Sequence, residues 1–265
     1  MLKCDSSEAK ELFFCAKGYG TIVLFCLVIF PSMVFGFNDS EVALFQKQIS
    51  DKPIGERVAF WAEQFVGTPY DPDPLGAYVT RRVIVADDRV DCMYHVFRSL
   101  ELAMSRTPDE AIRIALDKRF IDRGILESGT VLNYDERFQY GEDMLDSGKW
   151  GKEITTEIGS VISIKGSRGR GKVNIVSKKD LINNFNKSSK PSVTNGDFVF
   201  FIKSPEKRVA DEIVGHIGII KREGNDIYLV HASGKKNNGG EVRKVLFVDY
   251  VSTMPFAGVR ISRIP

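Results

Sequence analysis

Val214-Gly215-His216-Ile217-Gly218-Ile219-Ile220-Lys221-Arg222, then the break Glu223-Gly224-Asn225-Asp226, then Ile227-Tyr228-Leu229-Val230-His231: this stretch reads as one β-hairpin. Two runs of β-branched and aromatic residues separated by a short Gly-Asn turn are the pattern of paired antiparallel strands. His216 opens the first strand and His231 closes the second, fifteen residues apart. The two imidazoles therefore come to lie side by side on neighbouring strands. Segments 197–203 and 242–249 carry the same strand character, divided from the hairpin by Gly, Asn and Lys turns. The C-terminal part is thus an antiparallel sheet.

Moving outward from the hairpin, the period of the apolar residues changes. In 53–66, Ile54, Val58, Trp61, Ala62 and Phe65 recur at intervals of three and four, as on one face of a helix. Pro69, Pro72 and Pro74 then impose a turn-rich loop on Gly67-Thr68-Pro69-Tyr70-Asp71-Pro72-Asp73-Pro74-Leu75-Gly76. A short strand is expected over 78–85. A helix is expected over 92–104, with Asp91 at its amino end and Cys92, Val96, Leu100 and Ala103 on one face. Thr107 followed by Pro108, Asp109 and Glu110 has the chemistry of a helix start, so another helix runs to about Phe120. One more is expected over 135–146. Strands 161–164 and 173–176 pair around the basic loop 165–172. Helices first and sheet second make the class α+β.

Composition excludes several function classes. A chain of 265 residues with 43% hydrophobic and 27% charged residues is an ordinary globular protein. A net charge of +2 is too small for a nucleic-acid partner, which asks for a concentrated basic face. Residues 21–35 form an almost unbroken apolar run, interrupted by Pro31 and too short for an ordinary membrane span. Residues 1–36 read as a signal peptide, with the chain exported, most simply to a periplasm. The alternative is an uncleaved membrane anchor, because Lys3, Lys10 and Lys17 are balanced by Asp5, Glu8 and Glu11. Phe25 before Cys26 argues against a lipoprotein. Residues 37–265 are then one domain, touching a membrane only through an uncleaved leader.

Cysteine usage points to chemistry. Cys4, Cys15 and Cys26 lie in the leader, so the mature chain keeps Cys92 and forms no internal disulfide. An unpaired thiol in an exported protein is either buried and inert or kept for its reactivity. Thiolate is the reactive form, and a helix start favours it through unpaired N–H groups and the helix dipole. A base must lie within hydrogen-bond reach, and a third group must orient that base. The chain holds three histidines, His95, His216 and His231. Each of the last two, taken singly, also reads as a hydrogen-bonded histidine at a sheet edge, and His95 reads as a packed or surface residue of the Cys92 helix. Three scattered histidines and one cysteine lack ligand spacing, so no metal and no cofactor is expected. The run 166–172 has the spacing of a phosphate-binding loop, but Val173 stands where Ser or Thr would hold magnesium. It reads as a solvated basic hairpin loop.

Five blocks in order, Gly67-Thr68-Pro69-Tyr70, Asp91-Cys92, Gly196-Asp197-Phe198-Val199-Phe200, Gly215-His216-Ile217-Gly218-Ile219 and Val230-His231-Ala232-Ser233, resemble the signature of the NlpC/p60 cell-wall cysteine hydrolases. The resemblance covers about residues 54–251. It implies a papain-like NlpC fold, in which a helix carrying the nucleophile packs on an antiparallel sheet. It also implies roles: Cys92 as nucleophile, His216 as base, His231 as orienter, and Tyr70 and Asp91 in the substrate cleft. Two departures matter. Met93 follows Cys92 where many family members that cut between D-glutamate and the diamino acid have Ser, which removes half of their amine site. The interval from Cys92 to His216, 124 residues, is about twice the usual one, with the excess falling in about 107–195. Such an insertion resembles the N-acetylmuramoyl-L-alanine amidase-like branch, and it offers Arg137 and Tyr140 as candidates for the sugar side of the cleft; solvated helix positions are the plainer reading of both. The expected function is hydrolysis of the N-acetylmuramoyl-L-alanine bond of peptidoglycan or muropeptides. A stem-peptide endopeptidase, an acyltransferase and a non-catalytic wall-binding protein are the rivals.

Overall fold

A computed structural model describes residues 36–265 apart from 186–191 and 236–237. The expected leader, save Gly36, lies outside the described residues. Helices α1 (Asp39–Gln48), α2 (Ile54–Gln64), the short α3 (Ala77–Thr80), α4 (Cys92–Met104) and α5 (Pro108–Lys118) come first. A ladder of β1 (Leu126–Glu127) and β2 (Thr130–Val131) follows, then α6 (Gly141–Asp146), β3 (Lys152–Glu153) and α7 (Thr155–Ile158). Next are β4 (Val161–Lys165), β5 (Lys172–Ser177) and α8 (Lys178–Phe185). The chain closes with β6 (Phe198–Ile202), β7 (Val214–Glu223), β8 (Asp226–Lys235), β9 (Gly239–Leu246), α9 (Phe247–Thr253) and β10 (Gly258–Arg263). The class is α+β, and every described pairing in the main sheet is antiparallel.

That sheet runs in the order β4-β5-β10-β6-β7-β8-β9, with β3 also paired to β10. Strand β6, Phe198-Val199-Phe200-Phe201-Ile202, sits near its middle and is wholly buried. Its continuous apolar run follows from burial on both faces. Phe198, Phe200 and Ile202 join a core with Trp61 of α2, Phe65 at its C-cap, and Val96 and Leu100 of α4. Val199 and Phe201 face the opposite way, into a core with Leu181, Phe185, Phe247 and Val251 of α8 and α9. Each large side chain so buried contributes about 1.5–3 kcal/mol. Two helical layers thus cover a central sheet, and the sheet holds the hairpin β7–β8 between them.

Several expectations change on sight of the structure. Residues 78–85 do not form a strand. The Ala77 N–H donates to the buried Asp71 carboxylate, Gly76 takes a φ of 92° and Arg82 one of 54°, so the chain turns through α3. No single helix covers 135–146 either. A 3-10 turn at Tyr134–Glu136 is followed by an extended segment, pinned where the Phe138 N–H donates to the Arg119 carbonyl at 2.8 Å, before α6 begins. Strand β9 stops at Leu246 and gives way to α9, where a strand was expected to 249. Strand β10 was not foreseen, and it joins β3, β4 and β5 of the segment 107–195 to the main sheet.

Beneath that segment lies a buried ionic cluster. Arg119, at the end of α5, meets Glu101 of α4 through two bonds of 2.6 Å, and both side chains are fully buried. The guanidinium also rests 4.8 Å from the Tyr94 ring. Arg98 and Asp87 form a second buried pair at 3.0 Å. Removing one member of such a pair strands the other charge without water. Glu101→Leu should therefore lower the unfolding free energy by about 3–5 kcal/mol in urea titration, with much of the loss recovered in Glu101→Leu/Arg119→Met. A single variant within about 1 kcal/mol of the parent would contradict this description of the cluster.

Candidate active site

Cys92 occupies the first turn of α4. Asp91 is its N-cap, with extended backbone and a carboxylate oxygen that accepts the Tyr94 N–H at 2.8 Å. The rest of the helix from Tyr94 to Ala103 is buried, whereas Cys92 is half-buried and opens onto a cavity. Backbone N–H groups at a helix start have no intrahelical acceptor, so they present partial positive charge beside the thiol.

The two expected histidines meet. His216 Nε2 and His231 Nδ1 lie 2.8 Å apart across β7 and β8, with their rings nearly perpendicular at 85°. Phe201, Phe256 and Tyr250 pack around the pair, Tyr250 within 4.7 Å of the His231 ring and 6.0 Å of the His216 ring. Burial pushes the His231 pKa down to about 2, with the neighbouring His216 adding to the effect. Burial, helped by His95, pushes His216 down to about 4. Both imidazoles are neutral at pH 7, so His216 is able to accept a proton.

His216 and Cys92 line the same cavity, of about 200 Å³. Tyr70, Asp91, Arg137 and Tyr140 line it as well, while His231 stands behind His216. Tyr70 comes from the proline-rich loop, which is held by the buried Asp71 and by Asp73 accepting the Leu75 N–H at 2.9 Å. Burial first, then the charge of Cys92, raises the Tyr70 pKa, and the same two causes raise that of Tyr250. Arg137 and Tyr140 reach the cavity because the segment between the 3-10 turn and α6 is extended, so that 137–141 form one continuous wall.

That wall is fixed by charge. The loop 165–172 is largely exposed as expected, but its arginines also find the acidic face of α6. Arg168 pairs with Glu142 at 3.3 Å and Asp143 at 3.0 Å, and Arg170 pairs with Asp143 at 2.9 Å and Asp146 at 2.7 Å. The Arg168 guanidinium also lies 3.5 Å over the Tyr140 ring. Glu142 is fully buried, and its two oxygens accept the N–H groups of Ile213 and Val214 at 3.2 and 3.1 Å. It therefore anchors the chain directly ahead of His216. Gly141 is needed at this junction, since a Cβ there would come within 3.0 Å of the Val214 and Ile217 side chains. Tyr250, Phe256, Tyr78 and Glu142 were not anticipated as site residues. The capping position of Asp91 and the hairpin spacing were visible signals; these four carry none that is local.

His95 is not in the cavity. Fully buried on α4, it donates Nε2–H to the Ala62 carbonyl at 3.2 Å, its Nδ1 meets no hydrogen-bond partner among the described residues, and burial lowers its pKa to about 4. Among the described residues no group of three or more His, Cys, Asp and Glu is placed to hold a metal ion.

The fold is similar to those of several solved structures. A Legionella pneumophila protein with the family model DUF1460 is similar over 86% of this chain and 94% of its own, with a TM-score of 0.65 and 16% identity. An N-acetylmuramoyl-L-alanine amidase from Bacteroides uniformis is similar over 80% of this chain and 99% of its own, with a TM-score of 0.61 and 18% identity. A further structure of an amidase of that name from the same organism gives a TM-score of 0.59 at 17% identity. No family model matches the sequence, and no curated protein matches it. At these identities the likeness is one of fold, a fold that cell-wall amidases also use.

The buried histidines make stability depend on pH. Their folded pKa values lie below the ordinary 6.5, so the unfolded chain binds more protons as pH falls below 6.5. Stability should be full above that value and fall on acidification towards pH 5, by up to about 1.4 kcal/mol per pH unit for each histidine. Urea titrations at closely spaced pH values check this. His95→Gln should show a shallower slope than the parent, and a parent whose stability is flat from pH 7 to 5 would contradict the argument.

Proposed function

We propose that this protein is a cysteine amide hydrolase on a papain-like, NlpC-type scaffold, which cleaves the N-acetylmuramoyl-L-alanine bond of peptidoglycan or its soluble fragments. The observation that carries the reading is the shared cavity: a thiol at the start of a buried helix opens into the same space as a neutral imidazole backed by a second one. The Bacteroides uniformis amidases of similar fold support the choice of bond. Met93 beside Cys92 supports it too, since the amine site of the stem-peptide endopeptidases is incomplete here. The apolar segment 21–35 supports action outside the cytoplasm.

In this mechanism His216 Nε2 is engaged by His231, which leaves Nδ1 as the nitrogen that takes the thiol proton. The thiolate of Cys92 attacks the amide carbonyl. The Cys92 backbone N–H, at the first position of α4, stabilises the oxyanion, a contribution of about 3 kcal/mol for one such donor. Imidazolium His216 protonates the leaving amine, then as neutral base activates the water that releases the acyl group from Cys92. His231 holds the His216 ring and its tautomer throughout. Tyr70 and Asp91 form the near wall of the substrate cleft, and Arg137 and Tyr140 the far wall.

Incubation with defined muropeptides, followed by product masses, tests the proposal. The expected products are N-acetylmuramic acid and a free peptide beginning with L-alanine. Cys92→Ala should give no product while keeping its circular dichroism and its unfolding midpoint. Full activity of Cys92→Ala would refute the nucleophile, and products cut solely within the stem peptide would refute the bond.

A further inference from the structure

Three side chains of formal charge line the catalytic cavity: Asp91, Glu212 and Arg137. Asp91 caps α4 through the Tyr94 N–H, and Glu212 is in an ion pair with Lys203. Arg137 differs. Its Nη1 donates to the Tyr134 carbonyl at 2.9 Å, and among the described residues it meets no carboxylate. Tyr78, Phe138 and Tyr140, which line the cavity with it, are neutral. Elsewhere in this segment Arg119, Arg168 and Arg170 all have carboxylate partners. A half-buried guanidinium that pairs with no carboxylate among the described residues, on a cavity whose two acidic side chains are engaged elsewhere, is suited to an anion. Its planar fork fits a carboxylate through two parallel hydrogen bonds.

We propose that Arg137 binds a carboxylate carried by the substrate close to the scissile amide, which makes the preferred substrate an acidic acyl-peptide. The inference rests on the hydrolase reading for the identity of the substrate, though not for the existence of the anion site. In a stem peptide the group that meets this description is the free carboxylate of D-glutamate, missing where that residue is amidated to isoglutamine, which moves Arg137 from the sugar side suggested by the resemblance to the peptide side. One guanidinium suits one negative charge, and Cys92 in the same cavity provides a reporter for it.

The first test needs no muropeptide. Cys92 in the full chain is alkylated with iodoacetate, which carries a carboxylate, and with neutral iodoacetamide, and modification at that residue is followed by peptide mass. The ratio of the two rates should exceed the ratio for free cysteine by about tenfold or more. Arg137→Gln, which keeps an amide donor for the Tyr134 carbonyl, should abolish the excess, and Arg137→Lys should restore part of it. An equal ratio in parent and Arg137→Gln would overturn the anion site. The second test compares muropeptides with D-glutamate or D-isoglutamine. The parent should favour the acid about tenfold in kcat/KM, mainly through KM, and Arg137→Gln should lose that preference. Equal use of both by the parent would overturn the assignment of the carboxylate. Cleavage of neither would overturn the hydrolase reading, with the alkylation ratio still deciding whether Arg137 attracts anions.

Discussion

The 2.8 Å contact between His216 and His231 is the interaction on which the site depends. It exists because β7 and β8 are antiparallel neighbours and because both side chains leave the sheet on one face. Phe201, Phe256 and Tyr250 crowd the pair and keep water from it, which is why both imidazoles stay neutral. A neutral imidazole whose one nitrogen is engaged has a defined second nitrogen to offer. Rotating His216 out of this arrangement would break the hydrogen bond and expose apolar surface together, so among the described residues the ring is held by these contacts and not by a carboxylate.

A second constraint acts from the far side of the cavity. The residues between α5 and β6 contribute strands to the main sheet and a wall to the site. Glu142 fixes the entry to β7 by accepting two backbone N–H groups, and Arg168 ties that carboxylate to the β4–β5 loop while covering Tyr140. The same chain segment therefore shapes the cavity and positions the strand that bears His216. Arg119 and Glu101, buried beneath it, fasten the segment to α4, the helix that begins with Cys92. The Cys92 helix, the His216 strand and the far wall form one connected body of contacts.

Much of this was legible in the residues. Helices α2, α4 and α5 follow from apolar residues at intervals of three and four and from the caps Asp91 and Thr107, whose side chains accept the Tyr94 and Glu110 N–H groups. The hairpin β7–β8 follows from its turn, and its spacing brings the two imidazoles together. Cys92, His216, Tyr70, Asp91, Arg137 and Tyr140 line one cavity. What was not legible depends on distant partners. Residues 137–140 are extended because Phe138 bonds to Arg119, a contact that helical periodicity cannot reveal. Strand β10 is short, and its pairing with β5 and β6 is a tertiary fact. The turn at 76–82 is imposed by the Asp71 carboxylate and by Gly76, against the strand propensity of Tyr78, Val79 and Val83. The arginines of loop 165–172 are ion-paired because α6 carries Glu142, Asp143 and Asp146, which sequence spacing does not place opposite them.

Coupling between the Cys92 thiol and the His216 imidazole is the central claim, and the pH dependence of Cys92 alkylation by iodoacetamide measures it most directly. In the parent the rate should reach half its maximum well below the ordinary thiol value of about 8.5, and in His216→Gln the midpoint should rise by about one pH unit or more. Superimposable profiles for the two proteins would contradict the account.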